Sequence, residues 1–231
     1  LLWFLTLLLL AGGALTFGPS GQARSPAALL DPPDLPPTPT VEPPPDTVLA
    51  SVPLAALRFD AAESLAAFQF NEPQANWLIT EAGLQQAGFG PAHDYAARDS
   101  FALLQADLPA DLSLQLTAYN ERAAVADVLL RAGADSFYRY RVLADSYAEP
   151  AHRLELVQAG TVTLLAEVDA PGLRQYRWHT LSFAVAGDLL LAHFDGREVL
   201  RTHDATLSDG QAGFGSLAIG GVRFGSLEVL R

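Results

Sequence analysis

The sequence predicts an all-β fold, a sandwich of two antiparallel sheets, preceded by an N-terminal apolar helix and a proline-rich linker. Three observations carry that expectation. From about Thr47 to Arg231 the hydrophobic pattern has a period of two. Turn signals recur about every 8 to 12 residues, the spacing of short strands rather than of helices. Half of the 231 residues are hydrophobic and only 17% are charged, ample for one packed core.

Composition also excludes. Without cysteine there is no disulfide framework, thiolate metal site or cysteine nucleophile. All 14 basic residues are arginine, and 26 acidic residues bring the net charge to −12. A duplex binder needs a basic surface to neutralise phosphates, so no nucleic acid partner is expected.

Residues 1–23 read as a signal peptide or membrane anchor. Leu1–Phe17 is an uncharged apolar run whose length lies between a signal-peptide core and a minimal spanning helix of about 20 residues. Gly21-Gln22-Ala23 offers a small-x-small cleavage pattern, and the run contacts the membrane if it is left uncleaved. The sequence opens inside this run, and basic residues are expected to precede it. Residues 24–46 form the linker. Nine prolines and no aromatic residue favour an extended polyproline stalk, which at about 3.1 Å per residue would span roughly 60 Å.

Residues 47–231 form the sandwich domain, with twelve to fourteen short strands expected. Leu112 to Tyr119 alternates apolar and polar without a fault. Gly187-Asp188 and Asp195-Gly196 divide Ala184 to Thr202 into hairpins, because glycine readily takes the positive φ of tight turns. Ala159-Gly160, Asp209-Gly210 and Gly220-Gly221 punctuate further strands. Asn120 to Ala132 is rich in helix formers yet reads as a turn and a strand, since tertiary context overrides propensity.

The string Trp178-His179-Thr180-Leu181-Ser182-Phe183, followed by Phe194-Asp195-Gly196-Arg197, Gly210-Gln211-Ala212-Gly213-Phe214-Gly215 and Val222-Arg223-Phe224, resembles the concanavalin A-like lectin/glucanase superfamily. Within it, laminin-G-like modules and the 3-keto-disaccharide hydrolase domain are the nearest in pattern. Phe59-Asp60, Trp77 to Leu84, Leu129 to Ala132 and Phe137 to Val142 extend the likeness over about residues 55 to 230. The resemblance implies a two-sheet antiparallel jelly roll whose concave sheet often holds sugars. It does not imply an activity, because function lives in sites placed on a fold.

Retaining glucanases need two carboxylates about 5 Å apart on one strand face. Glu167-Val168-Asp169 is the nearest approach, and Ala170-Pro171-Gly172 stand where the second glutamate should be. No catalytic residue is therefore assigned. No Gly-x-Ser-x-Gly occurs, and the five histidines are scattered without metal spacing. His179 reads as a strand-opening residue beside Trp178. No cofactor is expected. Calcium would be the natural ion for such loops, through Asp60, Asp204 or Asp209, but is not indicated, since Phe224-Gly225 stands where many relatives read Phe-Asp.

The best remaining site is a polar sheet face. If Leu112, Leu114, Leu116 and Ala118 face the core, parity sends Gln115 and Tyr119 outward with Ser113 and Thr117. The same rule sets Asp127 and Arg131 opposite Val128 and Leu130, sets His193 opposite Phe194, and puts Arg139 and Arg141 on one face. Together Gln115, Tyr119, Asp127, Arg131, Arg139, Arg141 and His193 make a candidate ligand patch on the concave sheet, unless the charged members merely pair across a solvated face. The resulting expectation is an extracytoplasmic, membrane-anchored or secreted, non-catalytic module binding a glycan or another cell-envelope component. Two alternatives stand beside it: a hydrolase of keto-disaccharides, with Asp127 as its acidic group, and a structural or adhesive ectodomain contacting protein.

Overall fold

The computed structural model describes residues 53–71, 77–86, 99–217 and 221–231. The apolar segment, the linker and the domain boundary at residue 47 lie outside the described residues, as does His93. Fifteen strands follow in order: β1 (Pro53–Arg58), β2 (Phe68–Phe70), β3 (Trp77–Thr80), β4 (Gly83–Gln86), β5 (Asp99–Leu104), β6 (Leu112–Asn120), β7 (Val125–Ala132) and β8 (Ser136–Leu143), then β9 (His152–Gln158), β10 (Thr161–Val168), β11 (Trp178–Ala186), β12 (Leu189–Phe194), β13 (Arg197–His203), β14 (Gln211–Leu217) and β15 (Val222–Leu230). The excess over twelve to fourteen comes from β2, β3 and β4, which at three or four residues are too short for a period of two to be legible. A short 3-10 helix, Ala62–Ala67, was not anticipated.

An eight-stranded sheet runs β13-β12-β11-β6-β15-β4-β3, with β1 sharing the free side of β15; a seven-stranded sheet runs β10-β9-β8-β7-β14-β5-β2. All ladder pairings are antiparallel. The expected two-sheet sandwich is thus observed. The Asp195-Gly196 turn joins Phe194 to its partner Arg197, with φ of 50° and 78° as a type I′ turn requires.

The core lies between the sheets. Leu112, Leu114, Leu116 and Ala118 of β6 point inward, as parity requires, and meet Val128 and Leu130 of β7 and Tyr138 and Tyr140 of β8. Phe214 on β14 packs its ring on Phe59, Phe68, Trp77 and Phe224, with centroids 4.9 to 5.7 Å apart. The ambiguous stretch Asn120 to Ala132 is indeed a turn and a strand. Every residue of β7 is buried, which lets packing on both faces override the helical preference of its alanines and leucines.

Candidate functional site

Two outward faces hold polar side chains. On the seven-stranded sheet the register aligns Arg139 with Glu155 and Leu129, and Arg141 with Asp127. Arg139 donates from Nε to Glu155 at 2.6 Å and from Nη1 to Asp99 at 2.5 Å. Arg141 donates from Nε and Nη2 to the two oxygens of Asp127 at 2.8 and 2.7 Å, and from Nη2 to Asp99 at 2.6 Å.

Asp99 lies three strands from β8, roughly 14 Å at normal spacing. The reach works because the intervening strand β14 carries Gly213 and Gly215 in the outward positions, so no side chain of β14 stands in the lane. Burial alone would raise the Asp99 pKa, but the two guanidinium groups prevail and hold it below the usual carboxylate range. Arg141 is likewise held charged: desolvation opposes its charge, and Asp127 and Asp99 outweigh it.

Apart from Asp99, which is 34% exposed, this cluster is withdrawn from solvent. Arg139 is 2% exposed, Asp127 3% and Glu155 7%. Beside it, Leu103, Leu129, Ala132, Phe137 and Val157 make a second, smaller apolar cluster on the same outer face. The charges satisfy one another, leaving little for a ligand to recruit. Asp127 in particular spends both oxygens on Arg141.

The eight-stranded sheet presents the opposite situation. The register of β15 slips between Phe224 and Leu227, and the bulge opens a groove of about 600 Å³ between β1, β6, β11 and β15. Gly225 forms its floor. A Cβ there would meet Trp178 Cζ3 and Thr117 Oγ1, each at 2.9 Å, so the indole lies directly over the glycine. Gly225 is thus needed for the indole to seat.

Trp178 is 48% exposed and packs on Tyr119, with centroids 5.3 Å apart, and the Arg223 guanidinium sits 6.0 Å from the Tyr119 ring centre. Thr117 Oγ1 accepts from the Ser226 backbone N–H at 2.8 Å and lies 3.0 Å from the Ser226 hydroxyl. Arg58 and Glu228 complete the wall. Both are exposed, and neither side chain has an ion-pair or hydrogen-bond partner among the described residues.

The seven residues expected to share one patch are therefore divided. Gln115, Tyr119 and His193 lie outward on the eight-stranded sheet; Asp127, Arg139 and Arg141 lie outward on the seven-stranded sheet, across the core. Arg131 belongs to neither face. At φ 49°, beside a register slip, it ties the Ala110 and Leu207 carbonyls and Asp111 together at the sandwich margin. The reason is topological: parity orders residues within a strand, but the short connection from β6 to β7 crosses from one sheet to the other.

Sequence reasoning placed Thr117 on the outward face but missed Asp99 and Glu155 in the ionic cluster and Arg58, Trp178, Ser226 and Glu228 around the groove. One signal for Trp178 was present. Leu181 and Phe183 face the core, so parity sends Trp178 outward to the side of Tyr119.

The remaining candidates are fastened internally. His179 accepts at Nε2 from the Arg174 N–H and donates from Nδ1 to Asp195, locking the start of β11 to the Asp195-Gly196 turn. Asp204 accepts from the Tyr138 hydroxyl at 2.5 Å and from the Thr206 N–H. Burial opposes the Asp204 charge, but these bonds prevail and lower its pKa. Asp209 accepts from the Ser208 hydroxyl, and among the described residues no three His, Asp or Glu side chains converge as a metal site would need.

No protein-family model matches the chain, and no curated protein matches it. Among solved structures it is similar to the carbohydrate-binding module CBM66 from Bacillus subtilis, at 19% identity and a TM-score of 0.59 over 71% of this chain and 96% of that one. A galectin-like-fold protein of unknown function from Bacillus subtilis matches at 11% identity and a TM-score of 0.55, over 78% of this chain and 97% of that one. The exoplasmic/lumenal domain of VIP36, in its Ca2+/Man3GlcNAc-bound form, matches at 10% identity and a TM-score of 0.55, over 76% and 87%. At these identities the likeness is one of fold: the sandwich, in keeping with the concanavalin A-like pattern of the sequence.

Proposed function

We propose that this chain is a non-catalytic glycan-binding module that takes a neutral sugar in the groove over Gly225. The observation that carries the reading is Trp178, half exposed above the groove floor beside the unpartnered Arg58 and Glu228. An indole face covers the apolar side of a sugar ring, while a carboxylate accepts from ring hydroxyls and a guanidinium donates to them. Arg58 and Glu228 offset each other in charge, which suits a neutral ligand. Gln115, aligned with Glu228, and Tyr119, under Trp178, border the same face. The carbohydrate-binding neighbours support this reading at the level of fold.

The same proposal places the module outside the cell. Leu1–Phe17 supplies the export signal or anchor, and the proline-rich stretch to residue 46 serves as the linker.

A glycan array probed with the full chain in mild detergent, with and without calcium, tests the function. Binding of neutral glycans that disappears in Trp178→Ala supports it. No glycan binding by the wild type, or binding indifferent to Trp178, removes it.

A further inference from the structure

We infer that the ligand is a linear oligosaccharide bound along its length, and that Tyr176 supplies a second stacking surface beyond the groove. The inference rests on the proposed glycan reading and names the ligand more closely. Tyr176 is 68% exposed, the most exposed of the large apolar side chains among the described residues, and lies two residues before Trp178. Their Cα atoms are thus at most about 7 Å apart.

Its backbone is left-handed, with φ of 60°. That region is costly for a bulky residue and is normally left to glycine or asparagine. The turn does not drift into it. Tyr176 N–H donates to the Asn120 carbonyl at 2.7 Å, Asn120 N–H donates to the Arg177 carbonyl at 3.3 Å, and the Gln175 side chain donates to the Glu121 carbonyl at 2.8 Å. Asn120 is itself held by its side chain, which donates to the Leu173 carbonyl at 2.7 Å and accepts from the Ala124 N–H at 3.2 Å.

A strained turn braced on both sides therefore projects an aromatic ring into solvent. Among the described aromatic residues, Tyr176 is the one whose side chain has neither a ring contact nor a hydrogen bond. Strain retained without a ring contact or hydrogen bond in return marks a functional position, and the braced backbone fixes the point from which the ring projects. The groove over Gly225 accommodates the first sugar, and a chain continuing past Trp178, off the start of β11, reaches Tyr176. A monosaccharide would leave that ring unused.

The test measures Kd by calorimetry for the full chain against xylo-, cello- and manno-oligosaccharide ladders of one to six units, together with the shorter fragments of any glycan bound on the array. In the wild type, affinity rises about tenfold or more once the ligand is long enough to reach the second ring. Tyr176→Ala abolishes that gain and leaves binding of the shortest ligand unchanged. Tyr176→Phe, which keeps the ring, retains the gain, and thermal melting verifies that both variants are folded. Equal affinities at all lengths, or a length gain that survives in Tyr176→Ala, overturn this inference while leaving the groove intact. Loss of binding at every length in Trp178→Ala alone identifies the groove. No binding of any ladder or array glycan by the wild type overturns both readings.

Discussion

Replacing Arg139 with methionine tests whether the ionic cluster is part of the interior. The change removes the hydrogen-bonding partner of Glu155, a carboxylate 7% exposed, and one of two guanidinium groups on Asp99. Asp99 keeps Arg141 and is 34% exposed, so solvent and the remaining arginine limit its loss. Glu155 has no such recourse. Breaking a buried pair by removing one partner costs about 3 to 5 kcal/mol, whereas an exposed pair would cost well under about 1 kcal/mol. For a domain of this size the buried case lowers Tm by about 6 to 20 °C. Urea denaturation followed by tryptophan emission measures the change, with Trp77 reporting from the core. The double variant Arg139→Met/Glu155→Leu should recover most of the loss, because two apolar side chains beside the Phe137 cluster leave no orphaned charge. A single-variant loss below about 1 kcal/mol, or a double variant whose loss is the sum of the two singles, would refute the reasoning.

Other perturbations separate the two faces. Gly213→Ala should destabilise severely, since its Cβ would land on the Ala102 carbonyl oxygen, a backbone atom that cannot step aside; a melting temperature within about 2 °C of wild type would contradict the close approach of β14 and β5. Gly225→Ala should barely move stability, because its φ is not in the left-handed region, yet shift the indole of Trp178 and weaken glycan binding about tenfold or more; unchanged affinity would mean the indole is not part of the site. Acid should destabilise the fold through His152. This ring donates from Nε2 to the Pro171 carbonyl and accepts the Tyr140 hydroxyl at Nδ1, and burial pushes its pKa below the ordinary imidazole value. The unfolded chain then takes the proton first, so the His152 contribution is complete above about pH 6.5 and falls as the pH drops below it. His152→Gln should flatten stability against pH between about 7 and 5; an unaltered slope would assign the acid sensitivity elsewhere.

Period-two patterning identifies strands because each has one face in the core, and β6 shows it residue by residue. Turn chemistry was equally legible at Asp195-Gly196, where two positive φ values require it. What a single strand does not reveal is the sheet it joins. The link from β6 to β7 is short enough for a hairpin yet changes sheets, so Tyr119 and Arg139 share a sequence pattern but not a face. Burial of the outer charges was also hidden. It arises from Glu155, across the β8-β9 ladder, and from Asp99, which reaches the arginines from β5 over the glycines of β14 and lies some forty residues away in sequence. The groove depends on a register slip in β15 that no local signal announces, although its glycine and the outward parity of Trp178 were both there to be read.

The central claim is that a glycan binds at Trp178 on the eight-stranded sheet and not on the ionic face. Measuring Kd for one array-selected glycan with wild type, Trp178→Ala and Arg139→Met/Glu155→Leu tests it directly. The account predicts loss of binding in the tryptophan variant and wild-type affinity in the double variant. Wild-type affinity in Trp178→Ala, with loss in the folded double variant, would contradict it and return the site to the seven-stranded sheet.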